Sequence, residues 1–148
     1  MAQSLGRVLV HVVFSTRERR PMIRGEDRGP LHGYLAGIVR DIGCHSLRIG
    51  GPGDHVHALV SLGRTRSVAD LVQEMKRRSS RWMKERGVAG FCWQGGYGAF
   101  SIGASQVAVL TRYIDHQEEH HRRRTFQEEL RAILERYGVV YDERYIWR

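Results

Sequence analysis

Apolar residues crowd the segment Arg7–Thr16 with no helical period. Its run of Val, Leu, Val, His, Val, Val and Phe is rich in β-branched side chains, which predicts a first strand. The pattern then changes. Leu31, Tyr34, Leu35, Ile38, Val39 and Ile42 recur three and four positions apart, the spacing of one helix face, and Gly43 closes that run. Cys44–Ile49 returns to a short strand pattern. The turn Gly50-Gly51-Pro52-Gly53 leads from it into a third strand, His55–Leu62. Two strands joined by a tight glycine-rich turn predict a hairpin.

Ser67 stands where a helix cap is wanted, with Asp70 three residues on. Val68, Leu71, Val72, Met75, Ser79 and Trp82 then define one helix face, and basic residues crowd the rest. The order β-α-β-β-α is the ferredoxin-like split βαβ pattern without its last strand, which Tyr97–Ile102 can supply. Ser105 can cap a further helix over about Gln106–His121, striped by Val107, Leu110 and Ile114. Thr125-Phe126-Gln127-Glu128 fits a capping box for a final helix that buries Phe126, Leu130, Ile133, Leu134 and Tyr137 and stops at Gly138. The expected fold is α+β: an antiparallel ferredoxin-like sheet with helices on one face and a C-terminal helix carrying Tyr113. No repeat, low-complexity stretch or linker divides the chain, so one domain over residues 1–148 is expected.

Charge adds a partner class. Lys and Arg number 24 against 16 Asp and Glu, a formal net charge of +8. Arg supplies most of it, and its planar fork suits phosphate. A small domain this basic carries the footprint of nucleic-acid binding. No apolar run approaches the roughly 20 residues needed to span a bilayer, and the N-terminus lacks a signal-peptide pattern. A cytoplasmic protein is expected. Cys44 and Cys92 lie far apart and read as reduced thiols.

The chemistry concentrates in two places. His55 and His57 are two apart on a predicted strand, so both imidazoles face one side and can serve one metal ion. Tyr113 and Gln117 are four apart on a predicted helix and project together, with His120 close to the same direction. A tyrosine hydroxyl is a weak nucleophile at its ordinary pKa near 10, and a divalent metal that polarises a phosphate lowers the barrier to its attack. Gln117 offers a carbonyl oxygen as a third ligand. Read alone, Tyr113 could equally be a packing aromatic. No G-x-x-x-x-G-K-[ST] loop is present, and no nucleotide cofactor is expected.

The chain resembles the single-tyrosine transposases that carry a His-hydrophobic-His motif and mobilise bacterial insertion sequences as single-stranded DNA. It is similar also to their relatives, the REP-associated tyrosine transposases. The resemblance covers nearly the whole chain. It rests on H-V-V-F-S-T-R-E-R-R-P at His11 to Pro21, D-H-V-H-A-L-V-S-L at Asp54 to Leu62 and W-Q-G-G-Y-G-A-F-S-I at Trp93 to Ile102. The most specific block is R-Y-I-D-H-Q-E-E-H-H-R-R-R-T-F at Arg112 to Phe126. It implies that Tyr113 is the nucleophile and that His55, His57 and Gln117 hold Mg²⁺ or Mn²⁺. It implies cleavage of single-stranded DNA, at ends marked by hairpins, through a 5′-phosphotyrosine that frees a 3′-hydroxyl. It also implies a homodimer, in which the tyrosine helix can be donated to the partner's metal site. In this context Arg17, Arg19, Arg20, Lys76, Arg77, Arg81, Arg122 and Arg123 are expected to contact phosphates.

Other residues have plainer readings. His11 reads as a satisfied core histidine, although it could face the metal side of the sheet. His116, His120 and His121 could mimic a zinc cluster, but the glutamate of a zincin motif is missing, and a polar helix end against DNA fits better. Trp82 falls on an apolar helix face, and Trp93 could stack an unpaired base. Two rival functions remain open: a domesticated or regulatory DNA- or RNA-binding protein without strand transfer, and a small metal-binding structural protein.

Overall fold

The computed structural model describes residues 2–121 and 124–147. The elements are β1 (Val8–Ser15), α1 (Gly25–Asp41), β2 (His45–Gly50), β3 (His55–Leu62), α2 (Val68–Glu85), β4 (Gly98–Ile102), α3 (Val107–Asp115), α4 (Gln117–His120) and α5 (Phe126–Arg136). The four strands form one antiparallel sheet in the order β2-β3-β1-β4. This is the ferredoxin-like α+β arrangement expected from the alternation of patterns.

Alternation along the two central strands assigns the faces. Val10, Val12 and Phe14 of β1 join Val56, Ala58 and Val60 of β3 on one face. There they meet Leu31, Leu35, Ile38 and Val39 of α1 and Leu71, Val72 and Met75 of α2 in one buried cluster. The odd-numbered residues point the other way. Register pairs Val13 with His57 and Ser15 with His55, so both histidines share the opposite face with Val13 and His11. Phe126, Leu130 and Leu134 of α5 cover that face with Val13 and Phe100, in a second, smaller core.

Helix caps follow the side-chain chemistry. Ser67 Oγ accepts from the Asp70 N–H at 3.0 Å, and Thr125 Oγ1 accepts from the Glu128 N–H at 3.2 Å. Gly138 (φ +64°) lets the Val139 N–H reach the Leu134 carbonyl at 2.9 Å and ends α5. Two expectations need correction. The capping role of Ser105 belongs elsewhere: a 3-10 turn over Ala104–Gln106 precedes α3, and the Gly103 N–H donates to Gln106 Oε1 at 3.1 Å. The single helix expected over Gln106–His121 is broken at His116 (φ −105°, ψ 22°), whose Nδ1 bonds the Arg112 carbonyl at 2.7 Å. Tyr113 therefore lies in the last turn of one short helix, and Gln117 begins the next.

A candidate metal and tyrosine site on the second face of the sheet

His55 and His57 sit on a central strand and are fully buried. Each has its two ring nitrogens committed. His55 Nδ1 donates to Asp54 Oδ1 at 2.7 Å, and its Nε2 lies 3.0 Å from Gln117 Oε1. The bond from His55 helps hold the Asp54 carboxyl below its ordinary range, against a burial that would raise it. An ionised carboxylate only accepts, so Nδ1 carries the His55 proton. Around Nε2 stand the Gln117 carbonyl oxygen and, at 3.6 Å, Glu129 Oε1, atoms that could share a cation with it.

His57 Nδ1 is 2.8 Å from His11 Nε2, and its Nε2 is 2.9 Å from Glu129 Oε1. Burial first, and the neighbouring His57 second, lower the His11 pKa to about 3, so His11 stays neutral. A neutral imidazole can donate or accept at Nε2, depending on its tautomer. His11 can therefore support His57 in either tautomer, including the one that frees Nε2 for a metal. Burial likewise lowers the His57 pKa.

Glu129 joins the parts. Its carboxylate accepts from His57, from the Tyr113 hydroxyl through a very short bond, and from Gln117 Nε2 at 3.3 Å. His121 Nε2 lies 3.3 Å from Glu129 Oε2 and 3.1 Å from Gln117 Oε1. Burial alone would raise the Glu129 pKa, but the hydrogen bonds from His121, His57 and Tyr113 outweigh it and keep the group ionised. Burial, and then the Glu129 charge, push the Tyr113 hydroxyl up, so it is protonated in this state. The ring of Tyr113 stands edge-on to His57, with centroids 5.7 Å apart. Phe126 stacks on His55 at 4.3 Å.

All four residues expected to carry the chemistry, His55, His57, Tyr113 and Gln117, thus meet at one point, from a single chain. Gln117 begins α4 just past the break at His116 and is buried. Asp115, at the end of α3, pairs with Arg48 of β2 at 3.3 Å, and Glu118 of α4 pairs with Arg28 of α1, so both short helices are tied to the main body. Reasoning from sequence missed Glu129 and His121. The one signal for Glu129 is a charge set inside the apolar period Phe126, Leu130, Ile133, Leu134, which marks a buried group without saying what it faces. His121 stands in a polar stretch whose pattern favours a DNA-facing helix end, yet its ring packs against His55. The His120 side chain lies outside the described part of the structure.

The expected phosphate contacts divide. Arg17 and Arg81 are exposed. Arg20 pairs with Glu18 and Arg77 with Glu74, each at 2.8 Å, on the surface. Arg19 is half-buried, in a turn where both it and Glu18 adopt φ 56°. That left-handed conformation costs a non-glycine residue roughly 1–2 kcal/mol. Lys76 does not present a free ammonium. Its Nζ donates to the carbonyls of Gln94 (2.9 Å) and Gly96, and burial lowers its pKa to about 8. Arg122 and Arg123 lie outside the described residues. Trp93 is not a stacking platform either: it is buried edge-on against Phe14 and Phe91, with Nε1 donating to Ser79 Oγ at 3.0 Å. Trp82 is half-buried and stacks on Tyr34 at 4.9 Å.

The buried histidine pair faces a tyrosine hydroxyl, which makes this a candidate metal-and-tyrosine site, and comparison with known proteins gives the family. The family described as "Transposase IS200 like" matches residues 4–117, and the chain belongs to it. It is a transposase by family. Among solved structures, one described as a candidate transposase from Deinococcus radiodurans R1 is 21% identical, with a TM-score of 0.63. That match covers 77% of this chain and 93% of the other. A REP-associated tyrosine transposase bound to a REP hairpin is 15% identical, with a TM-score of 0.62, over 80% of this chain and 72% of that one. At such identities both likenesses speak for the fold. No curated protein matches the chain.

Proposed function

We propose that this transposase cuts and rejoins single-stranded DNA through a 5′-phosphotyrosine formed on Tyr113. His55, His57 and Gln117 would hold a divalent ion, Mg²⁺ or Mn²⁺. The observation that carries the reading is the convergence of a tyrosine hydroxyl and two fully buried imidazoles on one carboxylate. The donor set fits a cation, because His55 Nε2 and Gln117 Oε1 stand 3.0 Å apart, the spacing of adjacent ligands on one ion. When bound, the ion would polarise the scissile phosphate and offset its charge.

The chain's own residues supply the rest. Asp54 and His11 fix the two imidazoles from behind. The Tyr113 oxygen attacks phosphorus, the bond from phosphorus to the 3′-oxygen breaks, and the tyrosine proton ends on the released 3′-hydroxyl. Glu129, which already accepts from the Tyr113 hydroxyl, orients the attacking oxygen. The reverse reaction, with another 3′-hydroxyl as attacking group, rejoins strands without ATP. Because the histidines are buried, DNA must displace part of their cover. A cleft of about 440 Å³ between α3 and α5 opens onto His11, Tyr113 and Glu129, with Arg124 and Arg136 on its walls, and is the route of entry we favour.

The substrate we favour is single-stranded DNA with hairpin-bearing ends, bound through Arg17, Arg19, Arg20, Arg77 and Arg81, with Arg122 and Arg123 of the sequence block that carries Tyr113. No helix among the described residues is long and apolar enough to cross a membrane, in keeping with a cytoplasmic enzyme. A homodimer is part of the proposal. The outer edges of β2 and β4 are the places where sheets of two copies could join, and sedimentation at micromolar concentration checks it. Since Tyr113 already faces its own chain's His57, each subunit would use its own tyrosine.

The test is cleavage of a labelled hairpin oligonucleotide with Mg²⁺ or Mn²⁺ and with EDTA, for the wild type and the His55→Ala, His57→Ala pair. Cleavage only with metal and only by the wild type supports the reading. Binding without cleavage under every condition favours the rival, a DNA- or RNA-binding protein without strand transfer.

A further inference from the structure

We infer that Glu129 is a ligand of the divalent ion in the DNA-free protein, completing a His, His, Gln and Glu site that reaches from the sheet to α5. The inference rests on the proposed metal site and adds a residue from an element outside the motifs that define it.

Spacing is the first argument. Ligands 2.0–2.1 Å from an octahedral ion lie about 3.0 Å apart when adjacent. His57 Nε2 and Glu129 Oε1 are 2.9 Å apart, and His55 Nε2 and Gln117 Oε1 are 3.0 Å apart. His55 Nε2 and Glu129 Oε1 are 3.6 Å apart. One oxygen of Glu129 thus stands at adjacent-ligand range from His57 and somewhat beyond it from His55, which a small shift of α5 would close. A hydrogen bond between an imidazole and a carboxylate also marks a place from which a cation can displace a proton.

Charge is the second. His55, His57 and Gln117 are all neutral ligands, and all are buried. A dication among them, cut off from water, would lack a counter-charge in contact with it, and an unpaired buried charge is costly. Asp54 lies behind His55 and touches only its outer nitrogen. Glu129 is itself buried, at 2% exposure, and its carboxylate is the hard, anionic oxygen that Mg²⁺ and Mn²⁺ favour. His121 and Tyr113 bond the other oxygen, Oε2, and leave Oε1 turned towards the histidines.

The experiment is calorimetric titration of Mn²⁺ into the DNA-free full chain, for the wild type, Glu129→Gln, Glu129→Asp and His57→Ala. Glu129→Gln keeps the shape and removes the charge, and should weaken binding by about 10–100-fold. His57→Ala should abolish it. Wild-type affinity in Glu129→Gln alongside loss in His57→Ala would overturn the inference and leave the metal site standing. Wild-type affinity in His57→Ala would overturn the metal site itself. If Glu129→Gln does not fold, Glu129→Asp decides: its shortened carboxylate should also bind more weakly, and unchanged affinity counts against ligation. Infrared difference spectra give a direct readout. Mg²⁺ should shift a carboxylate stretching band of the wild type that Glu129→Gln lacks, and an identical shift in both proteins would overturn the assignment.

Discussion

Gly50 is where the tyrosine helix rests on the sheet, and replacing it with alanine should disturb both stability and chemistry. A Cβ at this position would lie 2.8 Å from Ile114 Cγ2 and 3.2 Å from the Ile114 carbonyl oxygen. Ordinary carbon–carbon contact is about 3.5–4.0 Å, so the neighbour must retreat by more than half an ångström. Ile114 is buried and β-branched, and its χ1 has little freedom in a helix. The carbonyl cannot rotate away. The strain therefore falls on α3 as a body. Overpacking of this kind costs about 1–3 kcal/mol, which for a chain of this size lowers Tm by roughly 2–12 °C. Tyr113 adjoins Ile114, and a displacement of about 1 Å at a reacting group can cost about 10²-fold in rate. Differential scanning calorimetry, with single-turnover adduct formation at saturating DNA and metal, measures both effects. Gly50→Ala should melt earlier and form adduct about 10–100-fold more slowly, with DNA affinity little changed. Wild-type values for both Tm and rate would show that α3 does not seat on Gly50 as described.

Three further outcomes follow from the same geometry. Asp54→Asn keeps an acceptor for His55 Nδ1 but loses the charge behind it, and should weaken Mn²⁺ binding by about 10–100-fold in calorimetry; unchanged affinity would remove Asp54 from the site. In chelator, stability should fall as pH drops from 6.5 towards 4.5. Burial takes the His11 pKa from 6.5 to about 3, so the unfolded chain binds a proton that the native chain does not; this costs about 1.4 kcal/mol per pH unit once the pH is well below 6.5. Below 4.5 the depressed Glu129 carboxyl adds a loss of the same sign. His11→Gln should make the upper part of the Tm profile shallower, with the lowered pKa of buried His57 leaving a residual slope of the same sign, and a wild-type profile already flat there would contradict a buried neutral His11. Single-stranded DNA binding should weaken with salt, and Arg17→Ala and Arg81→Ala should each reduce the log–log slope by about 0.7; an unchanged slope would place those exposed arginines off the DNA path.

The sheet and the histidine pair were legible because a strand has a period of two. Once His55–Leu62 is a strand, both imidazoles must share a face, and the register with β1 delivers His11 to the same side. Gln117 was legible for a less sound reason. Four-residue spacing suggested one continuous helix with Tyr113, whereas the chain breaks at His116 and reaches the same place through two short helices. Glu129 was hidden because it lies on a separate helix, and no local period relates it to β3. Only the packing of Phe126 and Leu130 over the sheet brings it to His57. The basic residues of α2 show the limit of charge as a guide. Lys76 stands in a run of cations, but it faces the segment before β4 and binds two carbonyls there, while Arg81 stays exposed. Hydrophobic period could not separate Trp93 from a surface aromatic, because its burial depends on Phe14 and Phe91 closing over it.

The central claim is that the Tyr113 oxygen becomes bonded to DNA. Incubating the protein with a hairpin-bearing single-stranded oligonucleotide and Mn²⁺, digesting with nuclease and protease, and sequencing the modified peptide by mass spectrometry tests it directly. The account predicts one nucleotide-bearing peptide, the one that contains Tyr113, with phosphate on the tyrosine oxygen. It predicts no such peptide from Tyr113→Phe, which should still bind the oligonucleotide. A modification on another tyrosine, such as Tyr97, or adduct formation at the wild-type level by Tyr113→Phe, would contradict it.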